Sequence, residues 1–364
     1  MAVNCGIIGL PNVGKSTIFN ALTRANAAVA NYPFCTVDPN VGIVEVPDER
    51  LARLAAIYHP KKLTPTHMEF VDIAGLVAGA SQGEGLGNQF LGHIREVDAL
   101  VHIVRCFDDP EIVHVNGAVD PQRDMGIIDT ELILKDLESV DKRWMKTEKK
   151  AKSGDKEAVR EMGFLTRLKE ALSQEKPART VPVSDEDGAS LKEMALLTRK
   201  PILYVANVPE DHIEKGNAYS ERVTEIARQE GTECVVISGK IESEIAVLSP
   251  EEGAVFLKDL GMTEPGLSRL IRGSYRLLDL VTFFTVGEDE VKGWTIHGGT
   301  PAVQAAGKIH SDIERGFIRA EIFRYDDLIR HGSAQVIKEK GLLRLEGKDY
   351  LVQDGDCIYF RFNV

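Results

Sequence analysis

Gly9-Leu10-Pro11-Asn12-Val13-Gly14-Lys15-Ser16 follows the apolar run Val3-Asn4-Cys5-Gly6-Ile7-Ile8 and precedes Thr17-Ile18-Phe19-Asn20-Ala21-Leu22. The stretch reads G-x-x-x-x-G-K-S. The run before it has the length and composition of a buried strand, and the apolar spacing after it suits the opening turns of a helix. Strand, glycine-rich loop and helix together turn a pattern match into a phosphate site. Glycine lets the backbone N–H groups of the Asn12–Thr17 stretch turn inward around phosphate oxygens, and the helix N-terminus adds a field that favours an anion. Lys15 brings a point charge to the outer phosphates, and the Ser16 hydroxyl can ligate Mg²⁺.

The 364 residues exceed one comfortable core, so two or three domains are expected. With 43% apolar and 27% charged residues the composition is that of a globular protein. The formal charge of −12 argues against general affinity for polyanions, while leaving room for a local basic patch. Cys5, Cys35, Cys106, Cys234 and Cys357 are scattered and odd in number, without zinc spacing or a disulfide framework. A reducing compartment is expected. No signal peptide and no run long enough to span a bilayer is evident, so the expected location is the cytoplasm, with no membrane partner.

After the first helix, Asn31-Tyr32-Pro33-Phe34-Cys35-Thr36-Val37-Asp38 occupies the place of a GTPase-type switch, where a Thr meets Mg²⁺ and the terminal phosphate. Thr36 is the candidate, since the neighbouring Cys35 is a poorer ligand for a hard cation. His67-Met68-Glu69-Phe70-Val71-Asp72-Ile73-Ala74-Gly75 then reads as a strand ending in D-x-x-G. Asp72 can hold a Mg²⁺ water and the Gly75 amide can sense the γ-phosphate. Gly79, Gly83, Gly85 and Gly87 follow as a second switch.

Leu76 stands where Ras-type switches place a water-orienting Gln, and leucine cannot hydrogen-bond a water. Intrinsic hydrolysis is therefore expected to be slow, or the water is positioned by another group. His114 is the candidate, as a neutral imidazole can accept a proton from water; His93 is the weaker rival. Asn12, inside the loop, can coordinate K⁺ beside the β- and γ-phosphates and supply charge that an arginine finger would otherwise bring.

Val97-Asp98-Ala99-Leu100-Val101-His102-Ile103-Val104-Arg105 reads as another core strand of a parallel sheet. From Ile128 the character changes. Ile128, Leu132, Leu134, Leu137 and Val140 recur at helical spacing, Arg143, Lys146, Lys149, Lys150 and Lys152 crowd together, and Met162, Leu165, Leu168 and Leu172 form a second stripe beyond Gly154-Asp155. The simplest object is a two-helix hairpin with a basic tip, a solvated face or a contact for RNA phosphates.

Pro201-Ile202-Leu203-Tyr204-Val205-Ala206 resumes the sheet and ends at Asn207-Val208-Pro209-Glu210. GTPases place N-K-x-D here, the Asp accepting from guanine N1 and N2. Val208 replaces that Lys and Glu210 that Asp, moving the carboxylate by about one C–C bond, ~1.5 Å. Such a displacement spoils a bidentate pair and the discrimination it gives, so ATP is expected over GTP. A further strand at Cys234-Val235-Val236-Ile237 ends at Ser238-Gly239-Lys240, where backbone amides can rim the base.

Taken together, the loop, Asp72-Ile73-Ala74-Gly75-Leu76, Gly83-Glu84-Gly85-Leu86-Gly87-Asn88-Gln89-Phe90 and Asn207-Val208-Pro209-Glu210 resemble the YchF family of Obg-related ATPases. Residues from Ala305-Ala306-Gly307-Lys308 to Arg319-Ala320-Glu321 resemble that family's TGS domain, and the likeness covers essentially the whole chain. It implies a Ras-like P-loop NTPase of α/β class: a mostly parallel sheet flanked by helices, a helical hairpin insertion and a C-terminal α+β TGS domain of ubiquitin-like β-grasp type. It also implies a cytoplasmic Mg²⁺-dependent ATPase that associates with ribosomes, through rRNA or ribosomal proteins, with Asn31–Thr36 as first switch and His114 near the phosphates. Gly239 departs from the alanine of many members. The expected domains are 1–127 and 200–280 as two parts of the nucleotide-binding domain, 128–199 as the hairpin and 281–364 as the TGS domain, in a monomer. Without the resemblance, 281–364 still reads as a separate α+β unit, with strands at Val281–Val286 and Cys357–Phe362 and a helix at Ala302–Ala306. Two function classes fit these residues: a hydrolase whose switches gate ribosome binding, and a nucleotide sensor that seldom hydrolyses. Within the first, a GTP-specific ribosome factor is the competitor.

Overall fold

The computed structural model describes residues 3–25, 40–73 and 86–363, with the backbone alone for 86–89. β1 (Asn4–Ile8) runs into the glycine loop and α1 (Lys15–Ala25), whose Ile18, Phe19, Ala21 and Leu22 are buried. Next come β2 (Val41–Glu45), α2 (Glu49–Tyr58), β3 (Lys62–Thr64), β4 (His67–Asp72), α3 (Leu86–Glu96) and β5 (Ala99–Arg105). Two long helices follow, α4 (Pro121–Lys152) and α5 (Lys156–Ser173), then α6 (Gly188–Met194) and β6 (Ile202–Asn207). α7 (Ala218–Gln229), β7 (Cys234–Ile237), α8 (Gly239–Ile245), α9 (Pro250–Asp259) and α10 (Gly266–Leu277) lead to the C-terminal part. That part comprises β8 (Leu280–Thr285), β9 (Glu290–His297), α11 (Ala302–Ile309), α12 (Ser311–Arg315), β10 (Phe317–Arg324), α13 (Tyr325–His331), α14 (Ala334–Glu339), β11 (Arg344–Glu346) and β12 (Asp356–Phe362).

The first sheet has the order β2-β4-β1-β5-β6-β7, with β1 parallel to β4 and β5, and β5, β6 and β7 continuing parallel. Every residue of β5 and β6 is buried. A strand covered on both faces has no polar side to alternate with, which is why these two read as largely apolar runs, with His102 and Arg105 in β5 and Asn207 at the end of β6 as their polar members. The glycine loop leaves the carboxyl end of the interior strand β1, the edge where open α/β sheets hold ligands.

The hairpin forms, but its first helix starts at Pro121, ahead of the apolar stripe that opens at Ile128. Asp120 caps it by accepting from the Arg123 N–H, and Pro121 sits at the first helical position, where its missing N–H costs nothing. Gly154 makes the turn at φ +90°, and Asp155 caps α5 by accepting from Glu157 and Ala158. Val140, Phe164, Leu165, Leu168 and Leu172 bury one another, whereas Leu134 of the expected stripe is 37% exposed. Lys149, Lys150 and Lys152 are exposed at the tip.

On α4, Asp129 Oδ1 is closed off from solvent with no hydrogen-bond partner among the described residues, and burial pushes its carboxyl up from 3.8 to about 6. A raised folded-state value means stability that is whole below the unfolded value and lost as pH climbs through about 6. Asp129→Asn is therefore expected to raise stability at pH 7 by about 1–2 kcal/mol and to flatten its change between pH 4 and 6, measured by denaturant unfolding at both ends.

Two compact units emerge, Met1–Gly42 with Glu69–Leu270 and Ile43–Met68 with Ile271–Val364. The segment 43–68, placed with the nucleotide-binding residues in the sequence reading, thus belongs with the C-terminal part. The cause is apolar: Leu51 and Leu54 of α2 bury against Phe284, Phe323, Leu328 and Ile337. Arg50 adds bonds to Asp48 and, at 2.7 Å, to Asp354, and its guanidinium lies 5.0 Å from the Phe284 ring centre. β3 extends the second sheet, whose order is β11-β10-β12-β8-β9-β3. On this mixed sheet Ala302 and Ala305 of α11 pack with Phe283, Ile322 and Ile358, giving the expected α+β architecture.

Candidate nucleotide site

The loop between β1 and α1 owes its path to two glycines. A Cβ on Gly9 would come within 2.7 Å of the Ile103 carbonyl oxygen and 2.9 Å of Val13 Cγ2. Gly14 has φ +92°, and a Cβ there would sit 2.2 Å from Asn207 Nδ2. Asn12 also takes positive φ, at +64°, a conformation its short polar side chain tolerates. Val13 is buried, while Ser16 and Thr17 are exposed at the start of α1, where unpaired N–H groups await an anion. Lys15 is nearly buried and its ammonium ion-pairs with Asp72 Oδ1.

Asn207, at the end of β6, ties the two halves of the site together. Its Nδ2 donates to the Val13 carbonyl at 2.9 Å, and its Oδ1 accepts from the Gly239 N–H at 2.9 Å. Val208 is buried and its N–H bonds to the Ile237 carbonyl at 2.8 Å. Ser238 is buried at the entrance to α8. An alanine Cβ at 239 would meet Ile18 Cγ1 at 3.3 Å and Asn207 Oδ1 at 3.4 Å, a tight fit that a few tenths of an ångström of give in the Ile18 side chain would relieve. Glu210 Oε1 lies 2.7 Å from Lys240 Nζ.

Ser16 and Asp72 offer the oxygen donors that a hard divalent cation takes, and Asp72 already faces a cation in the Lys15 ammonium. The donor set fits Mg²⁺. Asn12 spends its Nδ2 on the Val113 carbonyl at 3.0 Å, which leaves its Oδ1, the atom a K⁺ would need. Thr36, Gly75, Leu76, Cys35 and both switch stretches from 26–39 and 74–85 lie outside the described residues.

His114 has both ring nitrogens engaged by protein groups. Its side chain is only 2% exposed, Nε2 lies 2.8 Å from Asp124 Oδ2, and Nδ1 accepts from the Asn116 N–H at 3.1 Å. Since Nδ1 accepts, Nε2 carries the proton and donates to Asp124, so neither nitrogen is free for a water. The reason is the early start of α4, which brings Asp124 beneath the loop. Arg123 braces the same carboxylate at 3.0 Å. His93 is exposed on α3.

Sequence reasoning also passed over Arg105. At 2% exposure its guanidinium donates to the carbonyls of Phe107, Asp109 and Ile112 and stacks 4.5 Å from the Phe107 ring centre. It is what shapes the loop carrying His114. Asp120-Pro121 could have revealed the helix that holds Asp124; for Arg105, at the end of an apolar run, no signal distinguishes a buried arginine from an exposed one.

The family YchF-GTPase_C, described as a protein of unknown function, matches residues 280–363, and the family described as 50S ribosome-binding GTPase matches residues 4–151. The ribosome-binding ATPase YchF of Bacillus subtilis (strain 168) is 57% identical over the full length of both chains, and that of Escherichia coli O157:H7 is 50% identical, again over both full lengths. The solved structure of the Schizosaccharomyces pombe YchF GTPase superposes with a TM-score of 0.88 at 37% identity, covering 99% of this chain and 97% of its own.

Proposed function

The chain belongs to the YchF family, and on that premise we propose that it is a Mg²⁺-dependent ATP hydrolase that associates with the ribosome in the cytoplasm. The observation that carries the reading is the Asn207 bridge, which joins Val13 of the phosphate loop to Gly239 of the base-side turn and so makes one site of the two. Lys15 and the N–H groups of Asn12 to Thr17 bind and orient the triphosphate. Ser16, Asp72 and Thr36 would hold Mg²⁺, which when bound offsets charge on the β- and γ-oxygens. Lys15 leaves Asp72 to meet phosphate. Gly75 senses the γ-phosphate, and Asn207, Val208, Glu210, Ser238 and Gly239 enclose the base. Titration calorimetry with both nucleotides is the test. ATP is expected to bind about tenfold more tightly than GTP, about 1.4 kcal/mol. GTP binding far more tightly than ATP would overturn the reading and leave a GTP-specific factor.

For K⁺ at Asn12, turnover in potassium is expected to exceed that in sodium several-fold. Equal turnover in the two salts removes the ion from the mechanism. A second reading, nucleotide occupancy sensed with little turnover, is favoured by the enclosed His114 and by Leu76. Turnover near zero with and without ribosomes would select it.

A further inference from the structure

Glu210 stands on the turn Glu210–His212 just past β6, and Lys240 stands in the first turn of α8 beside Gly239. The two side chains meet at the base end of the site, on either side of the Asn207 bridge. Lys240 Nζ lies 2.7 Å from Glu210 Oε1 as an ion pair rather than an aligned hydrogen bond. That oxygen is closed off from solvent and has no hydrogen-bond partner among the described residues, while the lysine is 72% exposed. The carboxylate that stands in the place of a guanine acceptor therefore already has one oxygen covered by a cation. Guanine needs two acceptors at once, for N1–H and for its 2-amino group. Adenine presents no hydrogen at N1 and makes no such demand.

We propose that Lys240 is a specificity-determining residue: by holding Glu210 it withholds the paired acceptor that guanine requires and biases the site toward adenine. The added methylene of Glu210 misplaces the carboxylate; Lys240 occupies what remains of it. The contact also holds the ammonium above its ordinary range, as expected of a lysine bonded to a carboxylate. This inference rests on the reading of 207–210 as the base site.

The test measures ATP and GTP affinity by calorimetry for the unaltered chain, Lys240→Met, Lys240→Arg, Glu210→Ala and the Lys240→Met/Glu210→Ala double variant. The readout is the ratio of GTP to ATP affinity, because losing a positive charge weakens both triphosphates alike. An exposed ion pair moves an equilibrium by a factor of about two to five, so Lys240→Met is expected to raise the ratio by that much and Lys240→Arg to leave it. In the Glu210→Ala background, Lys240→Met is expected to change nothing further. An unmoved ratio in Lys240→Met, with ATP binding intact, overturns the proposal alone, and so does an equal rise in the Glu210→Ala background. Failure of the unaltered chain to bind ATP overturns the base-site reading and the proposal with it.

Discussion

Gly14→Ala is expected to weaken ATP binding by about 100-fold, the largest loss of any single methyl group added to this protein. Two costs combine. A non-glycine residue at φ +92° gives up about 1–2 kcal/mol. The new Cβ, 2.2 Å from Asn207 Nδ2, must also expel that amide and break its bonds to Val13 and Gly239, each worth about 0.5–1.5 kcal/mol. Together these make about 2–5 kcal/mol, or about 30- to 4,000-fold in affinity. Asn207→Ala removes the same bonds without the clash and is expected to cost about tenfold. Gly239→Ala, whose Cβ meets its nearest neighbours at 3.3 and 3.4 Å, is expected to be close to neutral. Calorimetry with ATP ranks the three variants, and thermal melts check that each is folded. Wild-type affinity in Gly14→Ala would refute the loop geometry.

The second large effect concerns the loop that carries His114. On the sequence-based expectation that His114 positions the attacking water, turnover requires that the imidazole, with both ring nitrogens engaged, leave Asp124. Asp124→Ala is expected to raise ribosome-free ATP turnover about five- to 150-fold, since it removes a charge-assisted bond worth about 1–3 kcal/mol. His114→Ala is expected to lower turnover at least about 100-fold, the usual contribution of a positioned general base, and to cancel the gain from Asp124→Ala. Asp124→Asn, which can still accept from Nε2, should fall between. A purely structural pair would behave otherwise: both substitutions would lower the melting temperature and leave turnover per folded molecule unchanged.

Gly14, Lys15, Ser16 and Asp72 could be read from the residues because a phosphate loop is local: a few consecutive backbone torsions and one adjacent strand make it. The parallel sheet was legible for a similar reason, since strands buried on both faces announce themselves as apolar runs. The expected base preference follows from Val208 and Glu210 by counting bonds. Less was legible where two distant segments had to meet. The stripe from Ile128 marks which face of α4 is buried, but apolar spacing is silent about the first two turns, where Asp120 and Pro121 start the helix and Asp124 faces a loop. His114 looked available because nothing adjacent in sequence occupies it. Segment 43–68 reads as part of the nucleotide-binding domain because it lies between two of that domain's motifs, yet Leu51 and Leu54 find their apolar partners more than two hundred residues further on.

The residues in order determined that this chain builds a G-x-x-x-x-G-K-S loop on a buried parallel sheet, and that Val208 and Glu210 stand in the places of the Lys and Asp of N-K-x-D. Tertiary structure alone decided which polar groups meet: Asn207 spans two loops, Lys240 covers Glu210, and Asp124 holds His114. The division has one cause. Backbone conformation and burial pattern are set over a few neighbouring residues, whereas a hydrogen bond depends on which distant side chain the fold brings within about 3 Å.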